Sequence, residues 1–460
     1  MEDLDLSPIE AAADMPGKKQ MWRDILVLTW PSAVEFTLGS LIGIITMAMV
    51  SPLGKEVVSA VGITQQPVML PMVLLQAFAV GGTALVARSI GEGNATSVRN
   101  ASEQTMFLSI IAGVLSGLVM YVFGGVFILW MGATEDYYAL AEMYMRFCAI
   151  GGIFQAISGS ISALLRGAGR TRLSMHFSVL ANIVNIIVGY LLIYGVGPIP
   201  AMGLAGAAWA QLIGKFAGML YALIILFYSK DLSIKPRIRG MFVPERVVIG
   251  RICRIGVSSA LEQLVMRVGV ILFTIYIIHL GTAEYAAHNI AATIHIFVVN
   301  FGMAVSMALV SLVGQNLGRE RPDIAERYFN ESVKICLIIS VILMIPLLVI
   351  PKNIAWIFTR EEDVVVNIVT ALRILAAITF AQIYQICVSG GLRGGGDTKW
   401  PLYSTIVGIL GMRMILGYFF VVRFQWGIAG AWWCWFLDQV ARAAIIYYRF
   451  RGGKWKTIKI

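Results

Sequence analysis

Leu392-Arg393-Gly394-Gly395-Gly396-Asp397-Thr398-Lys399 repeats an earlier stretch, Leu165-Arg166-Gly167-Ala168-Gly169-Arg170-Thr171-Arg172, at a distance of 227 residues. Holding that distance fixed carries Glu35 onto Glu262, Gly54 onto Gly281, Gly91 onto Gly318, Asp136 onto Asp363, Arg146 onto Arg373 and Gln155 onto Gln382. Ungapped agreement over that length, including charged residues inside apolar runs, marks two homologous halves. The runs Gly203-Leu204-Ala205-Gly206-Ala207 and Gly427-Ile428-Ala429-Gly430-Ala431 match at 224 instead, which places a three-residue loop deletion in the second half. Their small residues at helical spacing suit close helix packing.

The chain of 460 residues is 58% hydrophobic and only 13% charged, with mean hydropathy +0.79. An ordinary soluble domain carries about twice that charge, so these numbers read as a polytopic membrane protein. The net charge of +10 has no soluble basic face to carry it, which excludes a nucleic-acid partner and makes the charge a topology signal. Cys148, Cys253, Cys336, Cys387 and Cys434 are scattered without paired spacing, so neither a disulfide framework nor a metal knuckle follows.

A helix needs about 20 mainly apolar residues to cross the hydrocarbon core. The sequence offers twelve such pieces, at roughly 25–50, 57–87, 103–130, 138–164, 173–195, 203–228, 255–280, 284–314, 332–350, 364–391, 401–422 and 427–448. The expected fold is therefore all-α and integral to the membrane, two parallel six-helix repeats forming two lobes around a central cavity. Residues 24–229 make the first lobe, 230–254 a polar and basic cytoplasmic linker, and 255–449 the second lobe. Residues 1–23, acidic before they are basic, read as a retained, disordered cytoplasmic tail rather than a signal peptide, and 450–460 as a basic cytoplasmic tail. Lysine and arginine crowd one set of loops, including Arg166-Arg170-Arg172 and Arg319-Arg321-Arg327, while the opposite set has only Lys55, Lys352, Arg360 and Arg423. Positive-inside reasoning puts both termini in the cytoplasm, in a multi-pass protein of the cell membrane.

From Trp30 to Arg442 the sequence resembles the multidrug and toxic compound extrusion (MATE) family. The resemblance rests on Leu165-Arg166-Gly167 followed by Asn182 and Asn185, on Leu392 to Lys399, on Ala286-Ala287-His288-Asn289-Ile290, and on the Gly-x-x-Gly-Ala openings of the sixth and twelfth helices. It implies a twelve-helix, two-lobed antiporter exporting organic cations against a proton or sodium gradient. It also implies aspartates in the first, fifth and tenth helices, where this chain has Thr46, Gly189 and Gln382, and a glutamate in the seventh, where it has Glu262.

Glu35 and Glu262 are carboxylates deep inside apolar segments at equivalent repeat positions. Such residues are costly and face a wet cavity or a partner. Arg267, five residues beyond Glu262, points away on a helix, so no local partner neutralises Glu262, and desolvation is expected to bring both glutamates toward proton exchange near neutrality. They are the candidate coupling-ion and substrate residues. Gln155 and Gln382, which recur, together with Asn182, Asn185, Asn289 and Thr293, are secondary cavity candidates that could complete a sodium shell. Asp438 and Arg442, four apart, read as a local ion pair. The spacing of His279, His288 and His295 does not make a metal site.

The function that follows is cation-coupled export of cationic, amphipathic organic compounds by alternating access, with the proton favoured over sodium because one isolated glutamate per lobe suits a proton better than a shell of oxygens. A lipid-linked oligosaccharide flippase of the same superfamily is the alternative, disfavoured by few intramembrane arginines (Arg146, Arg267, Arg373, Arg413). A membrane-embedded acyltransferase-type enzyme is the alternative from another class, disfavoured because no histidine of this sequence stands within a few residues of an aspartate or serine in a catalytic-looking loop. No enzyme activity and no cofactor beyond the transported H+ or Na+ are expected. The expected partners are small organic molecules and membrane lipids, and the chain is expected to act as a monomer.

Overall fold

The computed structural model describes residues 15–458 except 199, 230, 231 and 233, so most of the expected amino-terminal tail and the last two residues lie outside the described residues. Twelve long helices follow in order: α1 Lys18–Val50, α2 Lys55–Gly91, α3 Ala95–Trp130, α4 Glu135–Gly167, α5 Thr171–Tyr194, α6 Leu204–Tyr228, α7 Arg246–Ile278, α8 Thr282–Gly318, α9 Pro322–Val349, α10 Glu362–Gly394, α11 Lys399–Arg423 and α12 Gly427–Arg451. No strand occurs among the described residues. Helix is what a bilayer demands, since a spanning backbone must satisfy its own hydrogen bonds. Eleven of the twelve are long and apolar enough to cross a membrane. The exception is α12, whose 25 residues would reach about 37 Å but whose Asp438, Gln439 and Arg442 lower its hydropathy.

The chain divides into two compact units, the first spanning Val34–Gly256 and the second joining Ala12–Ala33 to Val257–Ile460. In the first, α4 packs against α2, α3 and α6, and in the second α10 packs against α8, α9 and α12. The repeated Leu-Arg-Gly explains those hubs. Leu165 and Leu392 are fully buried. Any Cβ at Gly167 would lie 2.8 Å from the Thr83 carbonyl oxygen, and at Gly394 2.7 Å from that of Val310, so only glycine lets α2 and α8 approach so closely. Thr83 and Val310 are themselves 227 apart.

Two boundaries differ from those read in the sequence. Helix α1 begins at Lys18, not after a disordered stretch reaching 23, because α9 fixes its first turns: Trp22 Nε1 donates to Glu331 at 2.6 Å and Tyr328 Oη to Asp24 at 2.6 Å. The linker is shorter than 230–254, since Arg246 already starts α7. What remains is clipped onto α3, where Glu103 accepts from the Arg237 amide at 2.8 Å, Gln104 donates to the Val243 carbonyl at 2.9 Å, and Asn100 to Glu245 at 2.8 Å.

Candidate functional site

A charge inside a bilayer needs a partner or a wet cavity, so the buried charges mark where chemistry can occur. In the first unit, Glu35 on α1 faces Arg166 at the end of α4, Nη1 to Oε1 at 3.2 Å. Ser162 and Ser174 also donate to that carboxylate, at 3.2 and 2.8 Å. In the second, Arg393 Nη2 donates to Glu262 Oε2 at 2.7 Å. Both arginines belong to the repeated motif. The sequence offers Glu262 no local partner, and the one the structure supplies sits 131 residues away, where helical spacing around position 262 gives no sign of it.

The second unit extends this pair into a chain. Thr405 on α11 reaches Glu262 Oε1 at 3.4 Å and accepts from Arg442 Nη2 on α12 at 2.7 Å. Asp438, one turn before Arg442 and 0% exposed, takes Arg413 of α11 as its partner, with Nε at 2.9 Å. The local Asp438–Arg442 pair read from the sequence is therefore not formed among the described contacts: α11 supplies a guanidinium to one residue and a hydroxyl to the other. Asp438 Oδ1 carries no hydrogen bond.

Local structure makes this possible. Residues Ile406–Arg413 and Tyr418–Arg423 of α11 are π-helical, a widened turn frequent at functional sites. Gly408 lies in the first of them, and a Cβ there would collide with Asp438 Oδ1 and the Arg442 stem. An aromatic wall flanks the pair. The Arg413 guanidinium stands 4.5 Å from the Trp435 ring centre and 5.6 Å from that of Phe273. Trp432 stacks on Trp435 at 5.1 Å, and buried His288 packs edge-on against Trp432 and Phe273. His295 packs on Trp435 at 4.8 Å and bonds Gln382 of α10 at 2.5 Å.

Of the secondary candidates, only Gln382 joins this chain. Asn289 is exposed, and Thr293 bonds back to its carbonyl at 2.9 Å, on a different face of α8 from His288 and His295. Gln155, Asn182 and Asn185 are half-buried on α4 and α5 of the first unit. A further residue escaped the sequence reading altogether: Lys215, twelfth of the 25 residues of α6. The signal was a lone lysine in the middle of an apolar run.

Two repeats of six long helices, most of them apolar enough to span a bilayer and enclosing buried ion pairs, are the architecture of a secondary transporter. The chain belongs to the MatE family, whose signature matches residues 31–191 and 258–419. It is 26% identical over 434 residues to a probable multidrug resistance protein NorM of Thermotoga maritima, covering 94% of this chain and 93% of that one. It is 27% identical over 342 residues to the FAD transporter of Shewanella oneidensis, covering 72% and 75%. A crystal structure of MATE in complex with MaL6 superposes with TM-score 0.88 at 25% identity, covering 96% of this chain and 98% of that one.

Proposed function

We propose that the protein is a proton-coupled antiporter that exports amphipathic organic compounds across the cell membrane by alternating access. It works as a monomer with both termini in the cytoplasm. The family, and relatives named for multidrug resistance, support export of organic compounds. The observation that carries the coupling is the buried polar cluster of the second unit, in which Thr405 of α11 joins Glu262 to Arg442, while Arg413 of the same helix holds Asp438, whose Oδ1 is left with no hydrogen bond.

A proton needs one lone pair, which Asp438 Oδ1 offers. Sodium needs about six oxygens and no competing cation, whereas Asp438 and Glu262 each face a guanidinium. Protonating Asp438 cancels the charge that holds Arg413, freeing the guanidinium at the aromatic wall. Because Thr405 precedes and Arg413 ends the first π-helical segment, a change in how Arg413 is held shifts α11 and with it the Thr405 contact to Glu262. Glu262 thereby remains a coupling residue as part of the chain, not as an isolated carboxylate. Glu35 lacks such an extension and serves to hold α1 to α4.

The expectation of a cationic substrate finds less support. The aromatic wall suits flat apolar rings, but Arg413 already occupies the cation's place over Trp435. The FAD transporter among the relatives also widens the range of compounds to consider.

The test uses purified full-length protein in liposomes in sodium-free medium. An inward proton gradient is imposed, and both an anionic and a cationic xanthene dye are offered. Dye movement should follow the pH step, stop when the gradient is dissipated and be indifferent to added sodium. Transport that requires sodium and ignores pH contradicts the reading.

A further inference from the structure

We propose that a polar face of the first unit, built on Lys215, binds a carboxylate or phosphate group of the exported compound, so that the substrate is an anionic amphiphile. The proposal rests on the export reading above and adds the substrate's charge.

Lys215 lies about 17 Å from the start and about 20 Å from the end of α6 by helical rise, near the middle of the span. An ammonium there costs several kcal/mol unless something compensates it, and such a residue marks a functional site with a partner to be named. Among the described residues no carboxylate pairs with Lys215 and no hydrogen bond holds it. The residue as a whole is half-buried. Among the described residues of this unit, buried Glu103 of α3 is held by the Arg237 amide, and half-buried Glu35 is already taken by Arg166 and two serines.

The neighbourhood is made for the lysine and furnishes donors. Gly151 of α4 leaves room for its stem, since a Cβ there would stand 3.1 Å from Lys215 Cδ. One turn earlier on each helix, Cys148 Sγ donates to Gln211 Oε1 at 3.2 Å. That contact fixes the Gln211 amide with its oxygen occupied and leaves its Nε2 free to donate. Gln155 follows Gly151 by one turn on the same face of α4. Phe154 and Phe216, with ring centres 5.4 Å apart, and Phe147 and Trp209, 5.0 Å apart, bracket this seam with apolar rings. One cation, amide donors and flanking aromatics without a carboxylate form a receptor for an anion attached to an apolar body.

The second unit leans the same way. Around α11, Arg393, Arg413 and Arg442 stand against Glu262 and Asp438, while the third buried acid, Asp397 in the loop after α10, is taken by Arg449. A cationic drug would meet positive charge in either unit, whereas an anionic one would relieve it.

Equilibrium binding to the detergent-purified full chain, followed by fluorescence anisotropy without any gradient, tests the site apart from transport. Fluorescein and rhodamine 123 share a xanthene body and differ in charge. The wild type should bind fluorescein at least about tenfold more tightly, or about 1.4 kcal/mol. Lys215→Met, which keeps most of the stem, should lose that preference, and Lys215→Arg should keep it. Thermal melting of each variant separates a lost site from a lost fold. Tighter binding of rhodamine 123, no binding of either dye, or unchanged fluorescein binding by a folded Lys215→Met protein overturns the proposal. Phosphatidylglycerol in molar excess distinguishes a solute anion from a lipid headgroup: fluorescein that stays bound supports the solute, and complete displacement overturns it. The export reading is judged independently, by the response of dye movement to the pH step.

Discussion

Measured 227 residues apart, the two units agree: Glu35–Arg166 matches Glu262–Arg393, and Gly167 against Thr83 matches Gly394 against Val310. Measured 224 apart along α6 and α12, they part. Gly214, Lys215 and Gly218 of the first unit stand where Asp438, Gln439 and Arg442 stand in the second. The facing helix changes in the opposite sense, Ala181 on α5 corresponding to Gly408 on α11. In the first unit, glycines on α6 let Ala181 close in, a Cβ at Gly214 lying 2.8 Å from its carbonyl oxygen. In the second, the glycine has moved to α11 and the space holds an acid and a guanidinium. The same helix pair thus packs with or without buried charge, so the fold does not require the Asp438 chain. What the halves share builds the scaffold, and the proposed coupling is lodged where they diverge.

That contrast predicts the largest effect at Arg413. Arg413→Met strands a fully buried carboxylate, and breaking a buried pair in this way costs about 3–5 kcal/mol. Adding Asp438→Leu should restore most of the thermal stability, since the first unit manages without the pair, yet the double variant should not couple transport to protons. Calorimetry and flux on the same preparations check both halves of the statement. A double variant no more stable than the single one would mean that the second unit needs its charges to fold.

A smaller effect is expected in the loop after α10. Burial holds the Asp397 carboxyl above the ordinary aspartate range, with the Arg449 hydrogen bond at 2.5 Å opposing. The folded state then binds this proton more tightly than the unfolded state, so stability falls as pH rises from the ordinary aspartate value to the raised one, then levels. The first unit has Arg170 at the corresponding position and contributes no such slope. Asp397→Asn should flatten the acid limb of a melting-temperature profile, and an unaltered limb would place the slope elsewhere.

The fold was legible because its signals are local or periodic: apolar runs of spanning length, turn glycines, and a repeat whose Leu-Arg-Gly has a packing reason for each residue. The partners of the charges were not. Arg393 lies 131 residues from Glu262, and Arg413 lies 25 from Asp438, separations that only the packing of helices can bring together. Helical spacing favoured Arg442 for Asp438 because the four-residue rule knows nothing of a neighbouring helix with a widened turn. Lys215 was visible but unweighed, being one basic residue without a repeat partner or a familiar motif.

The most direct test of the central claim is proton movement itself, followed with a pH-sensitive dye trapped inside liposomes while an exported dye is supplied outside. Protons should leave the liposomes as the substrate enters in the wild type. Coupling should vanish in Asp438→Asn, which removes the carboxylate while preserving side-chain size, and should persist in a folded Glu35→Gln, whose residue belongs to the shared scaffold. Proton movement undiminished in Asp438→Asn, or abolished in a folded Glu35→Gln, would contradict the assignment of coupling to the chain that only the second unit carries.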